Sequence, residues 1–578
     1  MRKKLRSLPI TALALSLGTG MCLLAAPVAA QSSGSDSLSG AYLAGIHAGK
    51  ARDTDAAAAY ISRALQHDPD NPELIARAFM LELGRGDLKK ATRLAKRVVA
   101  NEKRHRVARL VLALQSFQTG DQAKAREHLE HAAYTPIGQL TSALLIGWSW
   151  AAEGKLEMAI KALKQLDSTE SFSVYKTFHS GLIADFLDQP KRAAAFFERT
   201  YDDAGTSLRV VQAYGNFLER QGKSDEALEI YEKFDASTSG HPLVDEALNR
   251  AKTAGPAPKF ITSGLHGAAE ALFSLSSALA DQSGVDLALL YAQSALQIRP
   301  QFAVAQTLLG DIYEDTKRYQ QAIDAYKKVP ATSPLRSNAE IRIAINYDRI
   351  GNFEEAEKRL KAQMEAESKS FKPALNLGNL LRGHEKFAKA AEYYTSAIAK
   401  LDNVETKHWT MFYFRGICYE RSKQWPLAEA DFKKALELRP EQPLVLNYLG
   451  YSWIEKGLNL KEALEMIERA VELRPNDGYI VDSLGWAHYK LRNYDLAAKH
   501  LERAVELKPQ DPVINDHLGD AYWRVDRKLE ARFQWQRARD NKPEPDVLET
   551  VMKKLKNGLA PERAAPETVK QAPAENKT

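Results

Sequence analysis

Two histidines are the first candidates for chemistry in this chain. His128 and His131 lie three residues apart, with Glu127 and Glu130 beside them. Imidazole and carboxylate groups at this spacing on a helix could supply half of a metal site. The same pattern is typical of exposed polar side chains on a solvated helix. We favour that second interpretation and predict no metal site.

A single thiol is the next candidate. Cys418 follows the small residue Gly416 by two positions in an apolar stretch, which indicates a buried, unreactive thiol rather than a nucleophile. The sequence has no glycine-rich phosphate loop, no Gly-x-Ser-x-Gly elbow and no His-Glu-x-x-His motif. We therefore predict no catalytic residue and no cofactor, and expect a protein that is not an enzyme.

The one concentrated charge lies in residues 85–109, which hold ten Lys and Arg against one Asp and one Glu. Lys89, Arg93 and Arg97 recur every fourth residue and form one stripe of a helix. Such a stripe could bind an acidic partner, anionic lipid head groups or an anionic cell-wall polymer. A solvated outer helix face is the alternative, and the pattern favours it.

The elements that must position these residues repeat along the chain. Small residues recur at intervals of 34, 34, 38, 34, 35 and 34 in the second half. An alanine follows each of them by twelve or thirteen residues, and a large side chain follows that alanine by four. These small residues are Gly310, Ala344, Gly378, Gly416, Gly450, Gly485 and Gly519. A period of this length predicts a stack of helix pairs.

The unit from Gly478 to Asp511 gives the physical reason for the pattern. Gly485 and Ala497 allow two antiparallel helices to approach closely, and Pro509 ends the second helix because it lacks a backbone donor. Neither helix buries its apolar face alone, so each unit must stack on the next.

The first half keeps the same period more faintly. Six alanines from Ala57 to Ala227 are spaced by 34 residues, and the next in-phase alanine, Ala288, follows after 61. We predict about six degenerate units in 38–234, a break in 235–268 and eight units in 269–545. A capping helix is expected over 546–558, followed by a disordered tail over 559–578.

The first thirty residues have the three parts of a secretory signal. Basic residues precede an apolar stretch from Ile10 to Ala26, and Val28-Ala29-Ala30 ends in small residues. We predict cleavage after Ala30, a short linker over 31–37 and a periplasmic protein. The alternatives are an amino-terminal membrane anchor facing the periplasm and a lipid-modified Cys22, although Met21 does not fit a lipoprotein signal.

Composition excludes several classes of protein. An apolar fraction of 44% with two Cys excludes a disordered chain, a disulfide scaffold and a polytopic membrane protein. Four of the six net positive charges lie in the first six residues, so the chain from residue 31 carries only +2. We therefore predict no nucleic-acid partner, which would require a concentrated positive surface.

This pattern of small residue, alanine, large residue and closing proline resembles the tetratricopeptide repeat. The resemblance implies an all-α solenoid, a right-handed superhelix of antiparallel helix pairs with about fourteen repeats in two arrays. It also implies a concave groove formed by places 2, 5, 9, 12 and 13 of each unit. In the last three units we select Asn447, Tyr451, Tyr479, Asp482, Trp486, Tyr489, Asp516, Asp520 and Trp523.

These residues indicate peptide recognition, because aromatic rings bury area at little entropic cost. A groove that clamps a terminal carboxylate needs cations where Asp482, Asp516 and Asp520 stand, so we expect instead a basic or polar peptide in an acidic groove.

The runs GYIVDSLGW, from Gly478, and PVINDHLGD, from Pro512, resemble exported tetratricopeptide proteins of Gram-negative bacteria, as does GAAEALF from Gly267. Members of that group include adaptors of carboxy-terminal processing proteases in the envelope. The resemblance implies a periplasmic scaffold for cell-envelope maintenance or regulated proteolysis, with an envelope protease and its substrates as partners. The alternative is a binder of anionic cell-wall polymer or lipid head groups through the basic stripe. Oligomeric state stays open.

Overall fold

The computed structural model describes residues 37–51, 53–238, 240–253, 255, 257–280 and 284–561. These residues form thirty α-helices and two short 3-10 turns, and no β-strand occurs among them. The predicted signal over 1–30, nearly all of the linker over 31–37 and most of the tail over 559–578 lie outside the described residues. The all-helical part of the fold prediction is confirmed.

The first compact unit comprises Met1–Thr316 and Lys328–Leu335. Its helices are α1 Leu38–Lys50, α2 Thr54–His67, α3 Pro72–Gly84, α4 Leu88–Asn101, α5 Arg106–Gln118, α6 Gln122–Ala132, α7 Pro136–Ala152, α8 Leu156–Lys164, α9 Ser173–Phe186, α10 Pro190–Ala204, α11 Leu208–Arg220, α12 Ser224–Thr238, α13 Pro242–Lys252, α14 Gly264–Ala280, α15 Val285–Ile298 and α16 Ala303–Asp315.

The second compact unit comprises Lys317–Lys327 and Arg336–Thr578. Its helices are α17 Tyr319–Lys327, α18 Arg336–Arg349, α19 Phe353–Ala366, α20 Lys372–Gly383, α21 Phe387–Ile398, α22 Trp409–Arg421, α23 Trp425–Leu438, α24 Pro443–Lys456, α25 Leu460–Leu473, α26 Gly478–Lys490, α27 Tyr494–Leu507, α28 Pro512–Arg524, α29 Lys528–Asp540 and α30 Pro545–Asn557.

Close approach inside each helix pair follows from the small residues. A Cβ added at Gly416 would lie 2.7 Å from the ring of Phe432, and one at Gly485 would lie 2.5 Å from Leu501. These large side chains come sixteen residues after the glycine and are fully buried. The same pairing joins Gly45 to Ile61, Gly147 to Leu163, Gly181 to Phe197, Gly215 to Tyr231, Gly378 to Tyr394 and Gly519 to Trp535. The predicted close approach of the two helices at the small residue is therefore confirmed in both units, and the large residue of the pattern is what packs against it.

Helix ends also follow the sequence. Asp53, Asp87 and Asp121 cap the second helices of the first repeats by accepting a backbone N–H three residues later. Pro440, Pro475 and Pro509 lie in the loops that follow α23, α25 and α27, where their missing backbone donor is not needed.

The first unit contains a contact that the period does not predict. Helix α14 packs against α7, and Gly267 lies so close to Trp148 that an added Cβ would overlap the indole ring. Glu270 of α14 is fully buried and accepts two hydrogen bonds from the guanidinium of Arg209, at 2.7 and 2.5 Å. A bidentate pair of this kind compensates the cost of burying the carboxylate.

Helix α15 extends this contact across the unit. The hydroxyls of Thr141 and Tyr291 lie 2.7 Å apart, and the amide of Gln293 donates to the carbonyl of Gly84 at 2.8 Å. Thr141 and Trp148 occupy places 2 and 9 of their repeat, which the family pattern turns toward the groove. In the first unit these groove positions are therefore covered by the chain itself.

The boundary between the two compact units differs from the predicted boundary between the two repeat arrays. The predicted break over 235–268 contains α13 and the start of α14, and residues 269–316, assigned by sequence to the second array, lie in the first unit. The physical reason is the packing of α14 and α15 against α7, α3 and α5. The number of repeats in each array stays a prediction.

Within the described residues, no helix combines the length and the apolar character that crossing a membrane requires.

Substitution of Gly267 by Ala should detach α14 from α7, because the new methyl group would overlap the Trp148 ring. Overpacking of this kind costs about 1–3 kcal/mol. We expect a lower thermal midpoint for the first unit and faster amide hydrogen exchange in α14. Gly49→Ala is the matched control, since nothing lies within 4 Å of an added Cβ there. If both substitutions lowered the thermal midpoint equally, the close contact between Gly267 and Trp148 would be contradicted.

Candidate protein-binding surface

The nine selected groove residues lie on three first helices of consecutive repeats. Asn447 and Tyr451 are on α24, four residues are on α26, and Asp516, Asp520 and Trp523 are on α28. Helix α26 packs against both α24 and α28. The sequence positions therefore come together on one side of the second unit, but their environments differ.

A stack of three rings marks the centre of this surface. The ring centroid of Trp486 lies 4.0 Å from that of His517 and 4.7 Å from that of Tyr489, with interplanar angles of 15° and 7°. The indole N–H of Trp486 donates to Glu455 at 2.6 Å, and Lys490 contacts the same carboxylate at 3.3 Å. Trp486 and Tyr489 are half-buried, so part of the stack remains accessible.

Asp482 is paired with His517 below this stack. Nδ1 of His517 lies 3.0 and 3.1 Å from the two oxygens of the carboxylate. Burial alone would lower the pKa of His517, but the Asp482 carboxylate, together with the charges of Asp516 and Asp520, outweighs burial and raises that pKa above its ordinary value. The negative charge of Asp482 is therefore paired with His517 inside the protein.

Asp516 and Asp520 are paired with α30. Nζ of Lys554 lies 2.8 Å from Asp516 and 2.8 Å from Asp520, and Trp535 donates its indole N–H to Asp520 at 2.9 Å. Burial raises the pKa of Asp520 to about 6, although Lys554 opposes that shift. The three aspartates of the predicted acidic groove are therefore not free: His517 pairs with Asp482, and Asp516 and Asp520 share Lys554, so two cationic groups face three carboxylates.

Two of the aromatic candidates lie apart from the stack. Trp523 is covered by Gly558, whose added Cβ would overlap the indole, and the amino group of Lys528 lies 4.5 Å from the Trp523 ring centroid. Tyr479 is 55% exposed at the start of α26, beside Lys508. Trp523 is therefore partly covered by the chain itself, and Tyr479 is accessible but does not contact the ring stack.

The accessible part contains Asn447, Tyr451, Trp486 and Tyr489. Oδ1 of Asn447 is buried and accepts no hydrogen bond from the described residues, so a bound peptide can donate a backbone N–H to it only after the Asn447 side chain rotates outward. Burial raises the pKa of the Tyr451 hydroxyl, and Glu455 and Asp482 raise it further. That hydroxyl therefore stays protonated and can donate a hydrogen bond.

Sequence reasoning missed Glu455, His517 and Lys554. Each pairs with a residue about one repeat away: Trp486 follows Glu455 by 31 residues, His517 follows Asp482 by 35, and Lys554 follows Asp520 by 34. The signal that could have found Glu455 is its place 13 in its own repeat; His517 stands at place 6, outside the groove pattern, and Lys554 lies beyond the last complete repeat.

The other sequence candidates behave differently from one another. His128 is buried, not exposed as expected, and its Nδ1 lies 2.9 Å from Nη1 of Arg109. The described residues contain no group of three or more metal-ligating side chains. Cys418 is buried as predicted, and burial raises the pKa of its thiol to about 12.

In the basic stripe, Lys89 and Arg93 are exposed, as a solvated helix face requires. Arg97 is half-buried and donates to the carbonyl of Pro69, with Asp70 3.5 Å away. Only part of the predicted stripe is therefore free to contact another molecule.

Family models for the tetratricopeptide repeat match residues 50–114, 275–336, 375–443 and 481–511. Together with the stacked helix pairs, these matches show tetratricopeptide repeats in those segments and a tetratricopeptide solenoid fold. That fold is typically a non-catalytic scaffold for binding other proteins.

Among curated proteins, this chain is similar to the TPR repeat-containing protein PA4667 of Pseudomonas aeruginosa. The two are 26% identical over 183 residues, which is 32% of this chain and 30% of that protein.

Solved structures give more distant similarities. One is the APC/C hetero-tetramer Cut9-Hcn1, with 15% identity, a TM-score of 0.38 and coverage of 90% of this chain and 96% of that one. Another is a tetratricopeptide repeat protein from Parabacteroides merdae, with 18% identity, a TM-score of 0.36 and coverage of 44% and 98%.

Lys554→Met should destabilise the end of the second unit by about 3 kcal/mol, because two buried carboxylates lose their cation. The loss should be larger at pH 8 than at pH 5. The folded-state pKa of Asp520, about 6, lies above its ordinary 3.8. Below that pKa Asp520 is mostly protonated and stabilises the folded state without the cation, and this contribution is lost as the pH rises through about 6, where an ionised Asp520 needs Lys554.

Urea unfolding of the full chain at both pH values measures this effect. Lys553→Met is the matched control, since Lys553 and its partner Glu549 are 69% and 70% exposed and such pairs contribute little. A loss that does not depend on pH, or that equals the control, would contradict the role given to Lys554.

Proposed function

We propose that this protein is a periplasmic, non-enzymatic scaffold that binds partner proteins through the accessible groove of α24, α26 and α28. The export signal expected in residues 1–30 supports the location. The resemblance of the later repeats to envelope adaptors supports a role in cell-envelope maintenance or regulated proteolysis, with an envelope protease and its substrates as partners.

The observation that carries the proposal is the stack of Tyr489, Trp486 and His517, which lies on α26 and α28, and α26 packs against α24, the helix of Asn447. Flat rings, fixed by their contacts with one another and with Glu455, offer apolar area without further loss of side-chain entropy. The buried Oδ1 of Asn447 has no hydrogen-bond partner among the described residues, and it could accept one from a peptide backbone once the side chain rotates outward. The fitting partner is an extended peptide or helix with an apolar side chain near a free backbone N–H.

The negative charge of the groove should contribute less to the choice of partner than the sequence alone suggests. Asp482, Asp516 and Asp520 are already paired with His517 and Lys554. Binding should therefore depend on apolar contact and backbone hydrogen bonds and should weaken little at high salt.

Affinity purification from envelope extracts tests this function, with the full chain as bait. We expect the Tyr451→Ala and Asn447→Ala variants to recover less of the partner than the unsubstituted chain, by roughly thirtyfold if Tyr451 is an interface hot spot. Glu468→Ala, on the exposed face of α25, is the control and should leave recovery unchanged. A folded bait that recovers no partner above background, or equal recovery by all variants, would contradict the proposal.

The alternative function, binding of an anionic polymer or lipid through the basic stripe, now rests on Lys89 and Arg93, because Arg97 is held by Pro69 and Asp70.

A further inference from the structure

The chain that follows the last helix lies over the groove of the second unit. Gly558 caps α30 with φ of +70°, and a Cβ added there would lie 2.1 Å from the indole ring of Trp523. Two residues later, the carbonyl of Ala560 accepts a hydrogen bond from Nη1 of Arg524 at 3.0 Å. Trp523 and Arg524 occupy places 12 and 13 of their repeat. Residues 558–560 therefore cover groove positions of α28.

Arg524 connects this stretch of chain to the ring stack. Its Nε lies 3.4 Å from the hydroxyl of Tyr489, and the ring centroid of Tyr489 lies 4.7 Å from that of Trp486. Both rings belong to α26, the next first helix along the groove. The chain thus runs from α30 onto α28, and a single guanidinium separates Ala560 from Tyr489. The residues that follow leave the described structure at the edge of the accessible groove.

The length of the chain beyond this point is sufficient to cross the groove. It continues through residues 562–578, ERAAPETVKQAPAENKT, which we call the tail segment. An extended chain advances about 3.3 Å per residue, and packed helices lie about 10 Å apart, so about three residues span the distance between neighbouring first helices. Val569 follows Ala560 by nine residues. It can therefore reach both α26 and α24.

The composition of the tail segment fits a groove of this kind. Pro566 and Pro573 disfavour a helix and favour an extended backbone. Three acidic and three basic residues leave the segment without net charge, so its binding does not depend on charges that the groove has already paired. Val569 is its largest apolar side chain, and the residues on either side of it keep their backbone N–H groups. An apolar side chain beside free backbone donors is what the rings of the groove and Asn447 can bind.

We propose that the tail segment occupies the groove of α24 and α26 in its own chain and competes there with partner proteins. Residues 562–570 cross the two helices in extended form, and Val569 packs against the exposed parts of the half-buried Tyr451 and Trp486. The inference rests on the proposed function of the groove, because it names an intramolecular competitor for the same surface.

Attachment to the fold favours this occupant over a second copy of the chain. Because Arg524 holds Ala560, the residues from Ala560 to Val569 act as a short tether, and such a tether gives an effective concentration of the order of mM. A partner protein must displace the tail segment. Its apparent affinity is therefore reduced to the fraction of chains in which the groove is free.

Crosslinking within the purified full chain tests the proposal. A photoreactive amino acid replaces Val569, and mass spectrometry after irradiation identifies the residues that it has joined. We expect an adduct within one chain, at groove residues of α24 or α26. The same photoreactive amino acid at Leu548, which is exposed on α30, is the control and should not label the groove. Adducts from position 569 with other surfaces only, or only between two chains, or no adduct at all, would overturn the proposal.

A labelled peptide with the sequence of residues 562–578 measures the competition by fluorescence anisotropy. It should bind the V569D variant of the full chain about tenfold more tightly than the unsubstituted chain, because losing the burial of one valine weakens the intramolecular contact by that factor. A574D adds the same charge five residues further along and should leave the affinity unchanged. Both substitutions lie beyond α30, so neither should change the thermal midpoint. Equal affinity for V569D and the unsubstituted chain, or an equal gain with A574D, contradicts the proposal.

Affinity purification separates this inference from the function on which it rests. The V569D bait should recover more partner from envelope extracts than the unsubstituted bait. If position 569 crosslinks to the groove and no bait recovers a partner, the proposed function fails and the contact of the tail segment stands. If the two baits recover the partner equally and no crosslink forms within the chain, the function stands and the inference is overturned.

Discussion

The close approach of two helices across a small residue is the constraint on which the rest of this structure depends. Where Gly416 faces Phe432, or Gly485 faces Leu501, the absence of a side chain on one helix makes room for a large one on the other. The interlock holds the two helices of a pair in a fixed relation. The interlock recurs about every 34 residues. Each of the remaining positions of the unit therefore occupies an equivalent place in the next helix pair.

The surfaces follow from this repetition. Groove positions meet across neighbouring first helices, which explains why Asp482 finds His517 and Asp520 finds Lys554 about one repeat later. The two units use the positions differently: α14 and α15 cover them in the first unit, whereas Asn447 and the ring stack of Trp486 stay accessible in the second.

Much of the fold could be predicted from the sequence, because it is local. Helix pairs, their small and large contact residues and the buried Cys418 all follow from residue type and spacing. The cover over Trp148 could not be predicted, since Gly267 and Glu270 meet their partners 119 and 61 residues away in the chain and no period connects them. The sequence was sufficient to predict that the nine groove residues lie on one surface, but it did not distinguish the accessible residues from the covered ones. That distinction depends on Lys554 and Gly558, which lie outside the complete repeats.

The central claim is that partner proteins bind the groove of the second unit and not the covered positions of the first. Photo-crosslinking in living cells tests it most directly, with a photoreactive amino acid placed at Tyr451 or Trp486 and, for comparison, at Thr141. The account predicts a discrete adduct with the same partner from Tyr451 and Trp486, and none from Thr141, whose hydroxyl contacts Tyr291. An adduct from Thr141 alone, or no adduct from either groove position in a folded protein, would contradict it.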